Sequence, residues 1–199
     1  MKTLIYGGTF NPVHLGHIRL AQHAVALLRP DRMLLIPTYI PPHKEVDCLA
    51  PAQDRLIMTH LAALTVGCSV SDTELHRKNR SYSIDTLEEL KKDGCGDLYF
   101  LMGSDMFLSL ETWNEAKRIF ALCTPVTAPR KENELPALHA YAERLKTLYN
   151  VDSIVCDFAV TDISSSELRK RIAENEDVSA FIPADILAYL NARGLYRKG

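Results

Sequence analysis

The chain opens with Lys2 to Tyr6, a short β-rich run that stops at Gly7-Gly8, and after a loop its apolar positions change rhythm. Leu15, Ile18, Ala21, Ala24, Val25 and Leu28 recur at the spacing of one buried helix face. Arg29-Pro30-Asp31 breaks that helix. Met33 to Ile36 is then apolar without alternation, as expected of a strand covered on both faces, and Pro37 ends it. The same rhythm predicts a helix from about Pro51 to Leu64, a strand near Cys68 to Ser71, a helix from Ser83 to Lys92 and a strand from Leu98 to Met102. Strands near Leu122 to Thr127 and Ser153 to Cys156 flank the amphipathic stretch Leu135 to Tyr149.

Strand and helix in alternation predict an α/β fold: a Rossmann-like, doubly wound parallel sheet with helices on both faces. Ligands of such sheets bind beyond the carboxyl ends of the strands, so the loops after Tyr6, Ile36, Met102 and Cys156 are expected to share one cleft. With 199 residues, 47% of them hydrophobic, the chain can bury a real core. The expectation is a single domain over 1–199 whose C-terminal helical part begins near residue 164. The long stretch Thr38 to Ala50, with Pro41-Pro42-His43-Lys44 inside it, is either a functional flap or a surface excursion.

Charge and cysteine usage narrow the partners. Twenty-three Lys plus Arg against 25 Asp plus Glu leave a net of -2, which argues against a nucleic-acid or membrane surface while permitting a local anion pocket. The N-terminal apolar run is too short for a signal peptide, and no run approaches the roughly 20 apolar residues of a membrane span, so a cytoplasmic protein is expected. Cys48, Cys68, Cys95, Cys123 and Cys156 are scattered with no Cys-x-x-Cys pair, which reads as free, mostly buried thiols. The sequence leaves a homo-oligomer open.

The candidate chemistry sits at the predicted strand ends. Gly7-Gly8-Thr9-Phe10-Asn11-Pro12-Val13-His14-Leu15-Gly16-His17 leads from the first strand into the first helix. Glycines let backbone approach a ligand closely, helix-start amides attract phosphate, and histidines three apart face one side. Helix capping or metal binding would use the same histidines, but the placement beside a glycine loop favours phosphate. Far along the chain, Ile163-Ser164-Ser165-Ser166-Glu167-Leu168-Arg169 reads as serine caps opening a helix, with spare hydroxyls and Arg169 able to donate to a polyphosphate. Gly103-Ser104-Asp105 follows another strand, and Leu108, Leu110 and Trp113 continue at roughly helical spacing, the pattern of core packing. Ser81-Tyr82-Ser83-Ile84-Asp85-Thr86 reads as a capped helix start with Ser83 as the cap.

Taken together, these segments resemble the HxGH nucleotidyltransferase superfamily, in the version found in bacterial nicotinate mononucleotide adenylyltransferases. His14-Leu15-Gly16-His17 supplies the HxGH and Ile163 to Arg169 the Ile-Ser-Ser-Ser-x-x-Arg motif. The resemblance implies ATP and nicotinate mononucleotide as ligands and transfer of the adenylyl group from the first to the second. It places His14, His17, Lys44 and Arg169 on the reacting phosphates, and Gly7, Gly8, Thr9, Phe10, Gly16, Gly103, Asp105, Ile163, Ser165 and Ser166 around ATP. Asn11, Tyr82, Thr86, Trp113 and Arg130 fall on the mononucleotide, with Trp113 against the pyridine ring and backbone amides near Tyr82 and Thr86 on its carboxylate. The chain departs from the family in having Asn11 where aspartate is usual, and Pro129-Arg130-Lys131 where Arg-Pro-Gly is common. Ile182-Pro183 to Leu195-Tyr196 matches the family's last helix, so the likeness spans nearly the whole chain.

The nucleophile so implied is a phosphate oxygen, anionic at neutral pH, which needs no general base. The enzyme's tasks are then positioning and stabilisation of the leaving pyrophosphate. Mg2+ is expected to arrive with ATP, without a carboxylate cage of the protein's own. The alternatives are another HxGH enzyme such as a pantetheine-phosphate adenylyltransferase, which normally has threonine at the place of His14, and a non-catalytic nucleotide sensor. A metal hydrolase using His14 and His17 lacks an obvious third ligand.

Overall fold

The computed structural model describes residues 1–42, 48–158 and 163–197. Strand β1 (Lys2–Gly8) feeds α1 (Leu15–Leu28), then β2 (Arg32–Pro37), α2 (Ala52–Val66) and the two-residue β3 (Ser69–Val70). A short helix α3 (Thr73–Arg77) leads to α4 (Ser83–Lys92) and β4 (Asp97–Gly103). The chain continues through α5 (Ser104–Leu108), a 3-10 turn at Leu110–Thr112, α6 (Ala116–Leu122) and β5 (Cys123–Ala128). A second 3-10 turn at Glu132–Glu134 precedes α7 (Leu135–Tyr149), β6 (Ile154–Val155), α8 (Ser165–Ala173) and α9 (Ala184–Arg193).

The six strands lie in the order β3-β2-β1-β4-β5-β6, every pairing parallel. Winding reverses between β1 and β4, and the loops that leave their carboxyl ends diverge to open a crevice there. Side chains divide by strand alternation: Leu4, Tyr6, Met33 and Leu35 enter one apolar cluster, while Ile5, Leu34 and Ile36 enter the other. Helices α1, α2, α8 and α9 cover the first face, and α4, α5, α6 and α7 the second. The unbroken apolar run Met33 to Ile36 follows from this, since neither face of β2 meets water.

The expected elements are all present, with small shifts at their ends. β2 runs through Pro37, which lies beside Gly8 of β1. Helix α2 stops where Gly67 takes φ 76, a left-handed conformation that costs glycine little. Three short helices, α3, α5 and α6, were not legible, because five to seven residues are too few to show a period, and Leu122, expected at the start of a strand, ends α6. The cap position of α4 is Tyr82, and Ser83 is its first helical residue rather than its cap.

Candidate active site

A cavity of about 450 Å³ opens at the β1/β4 crevice, a size that suits a nucleotide-scale ligand. One wall is made by two chain segments distant in sequence. Arg169 Nη1 on α8 donates to the Asn11 carbonyl at 2.8 Å, and Ser165 Oγ donates to the Pro12 carbonyl at 2.9 Å. Those two bonds fasten the start of α8 onto the loop after β1. Ser164 caps α8 by accepting from the Glu167 amide at 3.1 Å, so the serine run does cap the helix. Ile163, Ser165, Ser166 and Arg169 all line the cavity, as do Gly7, Gly8, Thr9 and Phe10 from the other segment.

His14 and His17 stand side by side at the opening of α1, ring centroids 3.8 Å apart, and both line the cavity. The His14 backbone N–H donates to His17 Nδ1 at 3.2 Å. Accepting at Nδ1 leaves the His17 proton on Nε2, free to donate. Burial, with the Arg130 charge, holds the His17 pKa down at about 3, against an ordinary 6.5. Burial, then His17 and Arg130, depress His14 as well. Both are therefore neutral donors at physiological pH, and His14 Nδ1 is buried without a hydrogen-bond partner among the described residues. A Cβ at Gly16 would lie 2.9 Å from the His14 ring, so only glycine lets that imidazole lie across the helix start.

Across the crevice, Gly103 and Asp105 follow β4 and line the cavity, with Asp105 Oδ1 3.0 Å from Arg130 Nη2. A Cβ on Gly103 would come within 2.9 Å of that same carboxylate oxygen. Trp113 lines the cavity too, edge-on to Phe100 at 6.1 Å and with its indole N–H reaching Ser109 Oγ at 3.4 Å. The turn carrying it is braced by α7. Tyr141 accepts from the Glu111 amide at 3.0 Å, while Arg144 and Tyr149 each donate to the Glu111 carboxylate at 2.9 Å.

Thr86 lines the cavity, whereas Tyr82 does not and packs against the second apolar cluster. Asn11 lines the cavity, but its amide is spent on structure: Oδ1 accepts from the Ala50 amide at 3.0 Å and the Tyr196 hydroxyl at 2.6 Å, and Nδ2 donates to the Cys48 carbonyl at 3.2 Å. Lys44 lies outside the described residues.

Two residues went unread in the sequence. Arg55 on α2 is 1% exposed and donates to the carbonyls of Thr9 (2.9 Å), Thr38, Tyr39 (2.9 Å) and Ala50 (3.1 Å), tying the loops after β1 and β2 together. Burial lowers its pKa. Glu74 on α3 lines the cavity, and burial raises its pKa against the hydrogen bonds that would lower it. For Arg55 the only hint in sequence was a charged residue in a helical apolar pattern, which ordinarily means a solvated face; for Glu74 there was none.

The thiols offer no nucleophile. Burial pushes Cys123 up to about 12 and Cys68 and Cys156 to about 11, and none of the five cysteines lines the cavity. Among the described residues no group of three His, Cys, Asp or Glu side chains is placed to hold a metal ion, and no helix is long and apolar enough to cross a membrane.

Residues 5–171 match the family model described as cytidylyltransferase-like. A protein of Caldicellulosiruptor saccharolyticus named "probable nicotinate-nucleotide adenylyltransferase" is 32% identical over 199 residues, covering 100% of both chains. Its namesake from Clostridium botulinum is 34% identical over 195 residues, 98% of this chain and 97% of that one. The solved structure of Plasmodium falciparum nicotinic acid mononucleotide adenylyltransferase complexed with NaAD superposes with a TM-score of 0.77, covering 98% of this chain and 97% of that chain at 17% identity. The same parasite protein complexed with APC gives 0.75, again at 17% identity and covering 98% and 96% of the two chains. At that identity the structural likeness speaks for the fold alone.

Proposed function

The chain belongs to the cytidylyltransferase-like family, and from that premise we propose that it transfers the adenylyl group of ATP to nicotinate mononucleotide, forming nicotinate adenine dinucleotide (NaAD) and pyrophosphate. One observation carries this reading. The start of α8 is bonded to the loop that leads from β1 into α1, at Asn11 and Pro12, so that His14, His17, Ser165 and Arg169 ring one cavity whose far wall holds Trp113 and the start of α4.

That arrangement suits a reaction between two polyanions. A phosphate oxygen of the mononucleotide forms a bond to the α phosphorus of ATP. The bond from that phosphorus to the β-phosphate bridging oxygen breaks, and pyrophosphate leaves with the electron pair. His17 donates from Nε2 while remaining neutral, so it stabilises a developing charge without a proton changing hands. Arg169, anchored through the Asn11 carbonyl and Ser166, offers its remaining N–H groups to the leaving group. The carboxylates lining the cavity, Asp105 and Glu74, are engaged with Arg130 and Thr86, which suits an Mg2+ ion held by phosphate oxygens and water. When bound, that ion would neutralise triphosphate charge.

On the acceptor side, Trp113 presents an indole face for the pyridine ring, and the amides opening α4 favour a carboxylate over a carboxamide. The direct test is pyrophosphate release from ATP with nicotinate mononucleotide, nicotinamide mononucleotide and phosphopantetheine in parallel. The highest kcat/KM is expected with the first. A highest value with phosphopantetheine, or no release with any acceptor, overturns the reading.

A further inference from the structure

The acceptor end of the cavity holds a buried carboxyl group that the transfer described above does not use. Glu74 on α3 is 6% exposed, its neighbours Ser81 and Thr86 are 5% and 4% exposed, and all three line the cavity. Thr86 Oγ1 donates to Glu74 Oε1 at 2.7 Å and accepts from Arg77 Nη2. Arg77 in turn reaches Glu89 Oε2 at 3.1 Å, which pins α3 to α4. Ser81 Oγ accepts from the Tyr39 amide at 2.9 Å and closes the group from the side of β2.

A hydroxyl has one proton to give. With Arg77 filling an acceptor position on Thr86 and the proton directed to Glu74, that hydroxyl has none left for a ligand. An anionic substituent arriving there competes with the Glu74 carboxylate for the same proton and is repelled by it. A carboxamide, by contrast, donates to an acceptor. The conflict disappears once Glu74 is protonated: its own O–H then donates to Thr86 Oγ1, and Thr86 turns its proton towards the ligand.

We propose that Glu74 is a specificity-determining residue: by setting the direction of the Thr86 hydroxyl, its protonation state governs how strongly the cleft prefers a carboxylate over a carboxamide on the acceptor's pyridine ring. The proposal rests on the nicotinate mononucleotide reading above. Burial makes Glu74 hold its proton to higher pH than an ordinary carboxyl, opposed by hydrogen bonds from Thr86 and Ser81 and by the Arg77 charge, and reinforced by Asp85. The groups facing it are thus Arg77 on its own helix, Asp85 and Thr86 from α4, Ser81 from the connecting loop, and Arg55 from α2.

The test is the ratio of kcat/KM for nicotinate over nicotinamide mononucleotide, followed from about pH 5 to about pH 9 in the wild type, Glu74→Gln and Thr86→Val. The phosphates of the two acceptors titrate alike and cancel in the ratio. In the wild type the ratio is expected to fall roughly tenfold as pH rises, the scale of one hydrogen bond to a charged group. Glu74→Gln donates to Thr86 at every pH and should keep the ratio high throughout. Thr86→Val should flatten it at a lower level. Thermal melting confirms that each variant is folded. A wild-type ratio that does not move with pH, or a Glu74→Gln ratio that follows the wild-type course, overturns the proposal while leaving adenylyl transfer intact. Turnover with neither mononucleotide overturns the underlying reading instead.

Discussion

The two ends of the cavity solve opposite problems. At the end where α1 and α8 begin, neutral imidazoles and an anchored guanidinium converge and the nearby Asp105 carboxylate is paired with Arg130; His17 is held uncharged by burial and polarised by the His14 amide. At the other end a carboxyl group, Glu74, sits in the wall itself, satisfied by Thr86 and faced by Arg77. A polyanion needs donors that are already in place, and neutral donors can be buried at far lower cost than charges. A single small substituent needs discrimination, which a buried titratable group provides at some expense in stability.

The comparison can be broken at the residue that ties the loops after β1 and β2 together. Arg55→Met removes the fork that holds Thr9 to Thr38, Tyr39 and Ala50, leaving buried carbonyls without donors. A loss of about 4 kcal/mol in unfolding free energy is expected from denaturant melts, with Arg55→Lys recovering part of it. A loss under about 1 kcal/mol would remove Arg55 as the node joining the two loops.

His17→Ala should lower kcat roughly 100-fold or more, about 3 kcal/mol of transition-state stabilisation, with a smaller change in the KM for ATP. Steady-state kinetics on the folded variant decides it, and unchanged turnover takes His17 out of the mechanism.

The neutral histidines also predict how stability follows pH. Unfolded histidine titrates near 6.5, whereas folded His17 stays neutral down to about 3. Between those values the unfolded chain binds the extra proton, so this stabilisation is complete above pH 6.5 and is lost as pH falls towards 3. Melts should show a decline of about 1 to 2 kcal/mol by pH 5, reduced in His17→Gln. An identical decline in that variant assigns the effect elsewhere.

At the pyridine end, Trp113→Phe keeps an aromatic face but loses the indole bond to Ser109. It should raise the KM for the mononucleotide about threefold and leave that for ATP unchanged, in line with aromatic contacts of about 0.5 to 1.5 kcal/mol. Equal shifts in both constants would mean that Trp113 braces the whole cleft rather than one ligand.

Much of this was legible beforehand, for identifiable reasons. The strand-to-helix passage at Gly7 to His17 and the serine run at Ile163 to Ser166 are local features whose chemistry depends on neighbours a few residues away. Both kept their expected places on the cavity wall. Asn11 shows the limit of such reading. It sits within a recognisable motif, yet its amide is held by Ala50, Cys48 and Tyr196. Arg55 was invisible because a charged residue on an amphipathic helix is ordinarily solvated, and Glu74 because the five residues of α3 show no period at all.

By itself the sequence determined the alternation of strands and helices, the parallel doubly wound sheet and the phosphate-facing loops, because hydrophobic period and glycine placement act over a few residues at a time. Only the tertiary structure decided which charged groups are buried, which proton each donor has free, and which loops one guanidinium holds together. Those depend on atoms brought within about 3 Å from segments up to 185 positions apart, as in the Tyr196 to Asn11 bond, and no local pattern encodes that distance.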